Sequence, residues 1–138
     1  MMATFDQPVP ESLPQSLPAL DVAAIETGVP LETMTELLAM AGLELKDIYD
    51  IVIPARTLTH RRARKEKLSV DESDKLARVI RIYEHTQRVF GSAPKALKFL
   101  KTPKERFDGR TPIEMLRTDL GGRLVEDWLW QIDDGVFV

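Results

Sequence analysis

The sequence predicts an all-α fold on three observations: apolar residues recur every three to four positions from Asp21 onward, no stretch alternates with period two, and paired helix-start and helix-stop signals punctuate the chain. The expected organisation is a Pro-rich disordered arm over residues 1–20, a helix-turn-helix over 21–67, and a small helical domain with a C-terminal tail over 68–138. In the arm, Pro8, Pro10, Pro14 and Pro18 interrupt scattered polar and apolar residues, so no period survives.

The elements follow in order. Val22, Ala23 and Ile25 make a short turn-rich segment ended by Gly28, and Leu31, Met34, Leu37, Leu38 and Ala41 make a helix that Gly42 closes. Leu45, Ile48, Tyr49, Ile51 and Val52 read as a compact helix of about two turns. It must stop near Ile53-Pro54, because proline disfavours a helical residue before it. Pro54 is well placed to start the next helix, Ala55 to Lys65. Two short helices joined by a tight break, the second basic, form the helix-turn-helix pattern.

Ser69-Val-Asp-Glu72 fits a capping box opening a long helix with Leu76, Val79, Ile80, Tyr83 and Phe90 on one face and Gly91 at its end. Thr102-Pro-Lys-Glu105 and Thr111-Pro-Ile-Glu114 repeat the signal and predict two short helices. A last helix from about Leu120 to Asp133 is expected to bury Leu124, Val125, Trp128, Leu129 and Ile132.

Composition narrows the function. At 138 residues and 43% hydrophobic, the chain can build a core without staples. Absent cysteine removes disulfides and thiolate metal sites, and His60 and His85 are too far apart in sequence to make a convincing metal pair, so no metal or cofactor is expected. The first residues lack a basic segment followed by an apolar one, and no apolar run is long enough to span a bilayer; the expected location is the cytoplasm, with no membrane partner. No Ser/His/Asp, Cys/His, metal or nucleotide constellation can be assembled, so no enzyme is expected. Gly109-Arg110-Thr111-Pro112 lacks the spacing of a phosphate loop, and the pairs Asp47/Asp50 and Glu126/Asp127 read as solvated. His85, mid-helix, reads as structural or exposed.

Charge is the strongest functional signal. Residues 1–55 carry one basic residue against nine acids, whereas residues 56–67 carry six Arg or Lys against one Glu, a net of +5. With Leu58 turned inward, the opposite face of this helix displays Arg56, His60, Ala63, Arg64 and Lys67, flanked by Thr57 and Thr59, and Arg62 lies near the buried side. Arginine can hold guanine N7 and O6 together, threonine can touch a base edge, and further cations meet phosphates. Arg56, Thr57, Thr59 and His60 are therefore candidate base readers, with Arg61, Arg62, Arg64, Lys65 and Lys67 on or near the DNA backbone.

The other candidate surface is the end of the chain. Asp134-Gly135-Val136-Phe137-Val138, following Asp133, joins acids to an apolar terminus that invites a docking partner. Trp130 points away from the Trp128 face of its helix, as interface anchors do.

From Leu68 onward the sequence resembles the toxin-binding domain of the Xre/MbcA/ParS-like antitoxin family. The resemblance rests on Leu68-Ser69 with Glu72-Ser73-Asp74, on Val89-Phe90-Gly91, and on Ala96-Leu97 with Phe99-Leu100. It continues through Gly109-Arg110-Thr111-Pro112-Ile113-Glu114-Met115-Leu116 with Thr118 and Gly121, and finishes on Gly135-Val136-Phe137. The Arg56 to Arg62 segment looks like the Xre-type recognition helix. The resemblance implies a cognate toxin, commonly a RES-domain enzyme that consumes NAD, repression of the shared operon, and neutralisation by a tail that reaches into the toxin; together with the chemistry of the tail and the outward Trp130, the expected toxin contacts are Trp130, Asp134, Gly135, Val136, Phe137 and Val138. A homodimer on a palindromic operator is expected. The competing reading is a stand-alone helix-turn-helix regulator whose C-terminal domain serves dimerisation.

Overall fold

The computed structural model describes residues 20–135; most of the Pro-rich arm, and Val136, Phe137 and Val138 of the expected tail, lie outside the described residues. Among the described residues the elements are α1 (Val22–Thr27), α2 (Leu31–Ala41), α3 (Leu45–Ile48), α4 (Ala55–Ala63), α5 (Val70–Phe90), α6 (Ala93–Lys101), a 3-10 turn (Glu105–Phe107), α7 (Pro112–Met115) and α8 (Asp119–Asp133). There is no strand among them, as the sequence predicts; two backbone segments meet only in an isolated bridge between Tyr49 and Ile53.

The long helix α5 is the axis of the molecule. It packs against α1, α2, α6 and α8. A single hydrophobic cluster runs from Val29 and Met34 through Leu58, Leu76 and Ile82 to Val125 and Leu129. The Ser69 side chain accepts from the Glu72 N–H and Glu72 accepts from the Ser69 N–H, so the predicted capping box is formed. Gly91 closes the helix in the left-handed conformation.

Gly28 joins the first helices to this axis. Its φ is +93°, and a Cβ there would lie 2.6 Å from the Leu68 carbonyl oxygen. That close approach lets the Leu68 N–H donate to the Val29 carbonyl at 2.9 Å and the Val29 N–H donate to the Ser73 hydroxyl at 2.9 Å, so buried polar groups are satisfied where the chain enters α5.

Several elements depart from expectation. α3 is one turn, not two: Tyr49 leaves the helical region, Asp50 sits at φ +65°, and Ile51, Val52 and Ile53 are buried in a turn instead of continuing a helix. α4 ends at Ala63, and Lys65, placed on the helix by the sequence, is left-handed at φ +57°. Ser92-Ala-Pro starts α6, an element the sequence reading did not assign, with the Ser92 hydroxyl accepting from the Lys95 N–H. Thr102 closes that helix instead of opening one, and the next segment is only the 3-10 turn, whose first residue has no side-chain cap. Thr111 does form its capping box with Glu114. On α8, Leu124 is exposed, not buried. Asp47 is not simply solvated: it caps Glu44 and pairs with Lys101 of α6 at 3.0 Å. Glu126 pairs with Arg81 at 3.4 Å.

Candidate nucleic-acid interface and partner surface

Two things hold α4 in place at its start. The apolar turn Ile51-Val52-Ile53 buries the approach, and Leu58, 2% exposed, is the one buried side chain of the helix itself. Most of the side chains around Leu58 are left to the outside. Arg56, Thr59, His60, Arg62, Arg64, Lys65 and Lys67 are exposed, Thr57 is half-buried, and none of the cations in this set forms an ion pair among the described residues. The Thr59 hydroxyl donates back to the Ala55 carbonyl at 3.1 Å.

Arg61, not Arg62, is the arginine turned toward the core. Arg62 is exposed, not near the buried side, and Arg61 is half-buried. The Arg61 guanidinium makes a two-pronged pair with Glu72: Nε donates to Oε1 and Nη2 to Oε2, both at 2.9 Å, while Nη1 reaches Glu66 at 3.5 Å. Hydrogen bonding to Glu72 raises the Arg61 pKa above its ordinary value. Burial pushes the Glu72 carboxyl up, but the Arg61 hydrogen bond together with the Ser69 N–H outweighs it and holds the carboxyl below its ordinary range. Beside α4 a groove of about 810 Å³ runs between the start of α2 and the segment 62–67. Its charged lining is Arg62, Lys65 and Lys67 against Glu32, Glu36 and Glu66, a balanced surface and not an anion cradle.

The last helix and the residues after it carry the partner candidates. Trp130 is 52% exposed, and its ring lies 4.4 Å from that of His85, so one aromatic face is turned outward while the other covers α5. Trp128 faces the other way, within an aromatic cluster with Phe99 and Phe107 at 5.2 and 5.5 Å. The Arg106 guanidinium lies over Trp128 and the Lys104 ammonium over Phe99, at 4.3 and 4.5 Å. Asp134 and Gly135 are exposed just past α8, and Val136, Phe137 and Val138 lie outside the described residues. No group of three or more His, Cys, Asp or Glu among the described residues is arranged to hold a metal ion, and none of their helices is long and apolar enough to cross a membrane.

His85 is buried, 3% exposed, and its Nε2 has no hydrogen-bond partner. Burial lowers its pKa, Arg88 pushes the same way, and Glu126 and Asp133 oppose them. Because the folded chain holds this imidazole neutral below its ordinary value of 6.5, the unfolded chain binds more protons there, and the contribution to stability present above 6.5 is lost as the pH falls below it. Stability, read as the melting temperature, is expected to fall between pH 7 and pH 5, this one proton contributing at most about 1.4 kcal/mol of stability per pH unit. His85→Phe should flatten that slope; an unchanged pH profile in the variant would assign the loss to other groups.

Two family models match consecutive parts of the chain. Residues 21–81 match an Antitoxin Xre-like helix-turn-helix domain, and residues 85–135 match an Antitoxin Xre/MbcA/ParS C-terminal toxin-binding domain. An Antitoxin Xre of Pseudomonas putida is 49% identical over 86 residues, which is 62% of this chain and 54% of that protein, so the match spans about half of its length. An Antitoxin Xre of Yersinia enterocolitica is 28% identical over 91% of this chain and 86% of its own, and one of Photorhabdus laumondii is 28% identical over 83% and 78%. With the helix-turn-helix and the toxin-binding domain succeeding one another in this order, the chain belongs to the Xre/MbcA/ParS-like antitoxin family.

Proposed function

We propose that this chain is the antitoxin of a type II toxin–antitoxin system, which binds and blocks a RES-type, NAD-consuming toxin with its C-terminal domain and represses its own operon through α4. The observation that carries the reading is the succession of a helix-turn-helix and a toxin-binding domain along one chain. The exposed cations of α4 supply the chemistry for DNA, and the exposed face of Trp130 beside Asp134 and Gly135 supplies it for a protein. The RES chemistry of the toxin rests on the family resemblance.

In the proposed complex, two copies of α4 enter successive major grooves of a palindromic operator, about one helical turn apart. Arg56, Thr57, Thr59 and His60 face base edges, while Arg62, Arg64, Lys65 and Lys67 meet phosphates. The tail Val136-Phe137-Val138 enters the toxin, and Trp130 packs on its rim. The antitoxin performs no catalysis itself and works in the cytoplasm.

The test is co-expression with the product of the adjacent reading frame, followed by assay of NAD consumption by that product with and without this chain. Inhibited consumption is the expected result. Removing residues 135–138 should release the toxin while leaving DNA affinity within about twofold of the parent. A neighbour that neither binds nor poisons cells would make the chain a stand-alone regulator, and a truncated chain that still protects cells would remove the tail from the mechanism.

A further inference from the structure

The helix carrying the DNA-facing side chains is short, contributes one buried side chain, and has no side-chain cap at its N-terminus. Past Ala63 the chain leaves the helix through left-handed Lys65, so no continuous helix links α4 to α5. What spans the gap is the pair between Arg61 and Glu72, 11 positions apart. Both side chains are largely withdrawn from water, at 24% and 12% exposed. Glu72 is itself fixed, because its Oε1 also accepts from the Ser69 N–H at 2.8 Å while its own N–H donates to the Ser69 hydroxyl. The carboxylate therefore stands on the first turn of α5, and the planar guanidinium fork fits it along two parallel bonds, which limits rotation of α4 about its own axis.

We propose that Glu72 is a positioning residue for the DNA-binding surface: through Arg61 it sets the rotation of α4 against α5, so that Arg61 is an internal strut and not a phosphate contact. This rests on the reading of α4 as the DNA-binding helix, and it revises the sequence expectation that Arg61 lies on the DNA backbone. It also explains why two adjacent arginines have different surroundings: Arg62 is open to a ligand and Arg61 is engaged.

A lysine discriminates between the two roles. It replaces arginine well as a point charge beside a phosphate but cannot reproduce a fork on a carboxylate. The full-length chain, Arg61→Lys, Glu72→Gln and the double variant are titrated at several salt concentrations with a duplex covering the region upstream of the chain's own reading frame. Each single variant is expected to lose about tenfold in affinity, and the double variant no more than either single one, because the two residues act as one unit. The salt slope of Arg61→Lys and of Arg61→Met should equal that of the parent, since no phosphate contact is removed. Glu72→Gln retains an oxygen for the Ser69 N–H, and thermal melts identify any variant that has failed to fold. Parental affinity in Arg61→Lys, additive losses in the double variant, or a slope reduced by about 0.9 in a folded Arg61→Met would overturn the proposal. If the parent itself binds no duplex, the DNA reading fails and the positioning role falls with it, a result visible before any variant is measured.

Discussion

Gly121→Ala is expected to unfold the C-terminal half of the molecule. Gly121 is the third residue of α8, buried where the helix starts against the end of α7. A Cβ at this position would lie 1.9 Å from the Met115 carbonyl oxygen and 2.9 Å from its carbonyl carbon, and both are backbone atoms that no rotamer change can move aside. The Gly121 N–H also donates to the Thr118 hydroxyl at 3.0 Å, so the cap of α8 is tied to the same spot. Even one methyl group must push α8 away from α7. That displaces Val125 and Leu129, both fully buried, and carries Trp130 off His85. A loss of about 4 kcal/mol or more is expected, in the class of severe core disruptions. Urea titration followed by tryptophan fluorescence would read it. Gly135→Ala is the control: among the described residues, no atom beyond its chain neighbours lies within 4 Å of its Cβ position, so only the cost of its left-handed φ of +73°, about 1 kcal/mol, is expected. Equal stability in the two variants would contradict the argument.

The sequence made legible those features whose cause is local. Ser69 with Glu72 and Thr111 with Glu114 form their boxes, and Gly42 and Gly91 stop their helices, because each signal needs only a few neighbouring residues. Thr102 shows where a local signal has two meanings. Its hydroxyl donates one turn back to the Lys98 carbonyl and closes α6, so the Thr-Pro pair that can open a helix here ends one. α6 itself escaped notice because its Ser-Ala-Pro start follows directly on the Gly91 stop, although Ala96, Phe99 and Leu100 share a buried face.

The site was legible only in outline. The inward turn of Leu58 follows from its being the apolar residue of a basic helix. At about 100° per residue, however, Arg61 and Arg62 flank Leu58 on either side, and the wheel alone cannot choose between them. The choice is made by the carboxylate of Glu72 on another helix. Sequence spacing identified Glu72 as a capping residue but gave no sign of its second contact. Likewise, the wheel separates Trp130 from Trp128, but the imidazole beneath Trp130 comes from α5, 45 residues earlier, and only the fold brings the rings together. The close approach at Gly121 is a tertiary fact as well, since the Met115 carbonyl it meets lies on another helix.

Leu58→Ala is expected to weaken the proposed DNA binding strongly while leaving α5 to α8 folded. Substitutions of this kind in a core lose about 2–5 kcal/mol, through the methyl groups removed and the cavity left behind. For a helix in the middle of a core that loss is shared with many neighbours, but α4 buries no other side chain. Its attachment would then rest on the turn Ile51-Val52-Ile53 at one end and the Arg61–Glu72 pair at the other, neither of which fills the space under the helix. The helix should therefore open before the rest of the molecule does, since local opening follows the fewest buried contacts. Hydrogen exchange is expected to show amide protection lost across residues 55–63 and retained in the buried stretch of α5, together with at least a 30-fold loss of affinity for DNA, the equivalent of about 2 kcal/mol. Binding of the proposed toxin partner should persist, because α8 packs on α5 and α7 and Trp130 lies against His85 of α5. If protection falls equally in all helices, the single hydrophobic cluster unfolds as one cooperative unit, and the surface for DNA cannot be loosened independently of the surface for the partner.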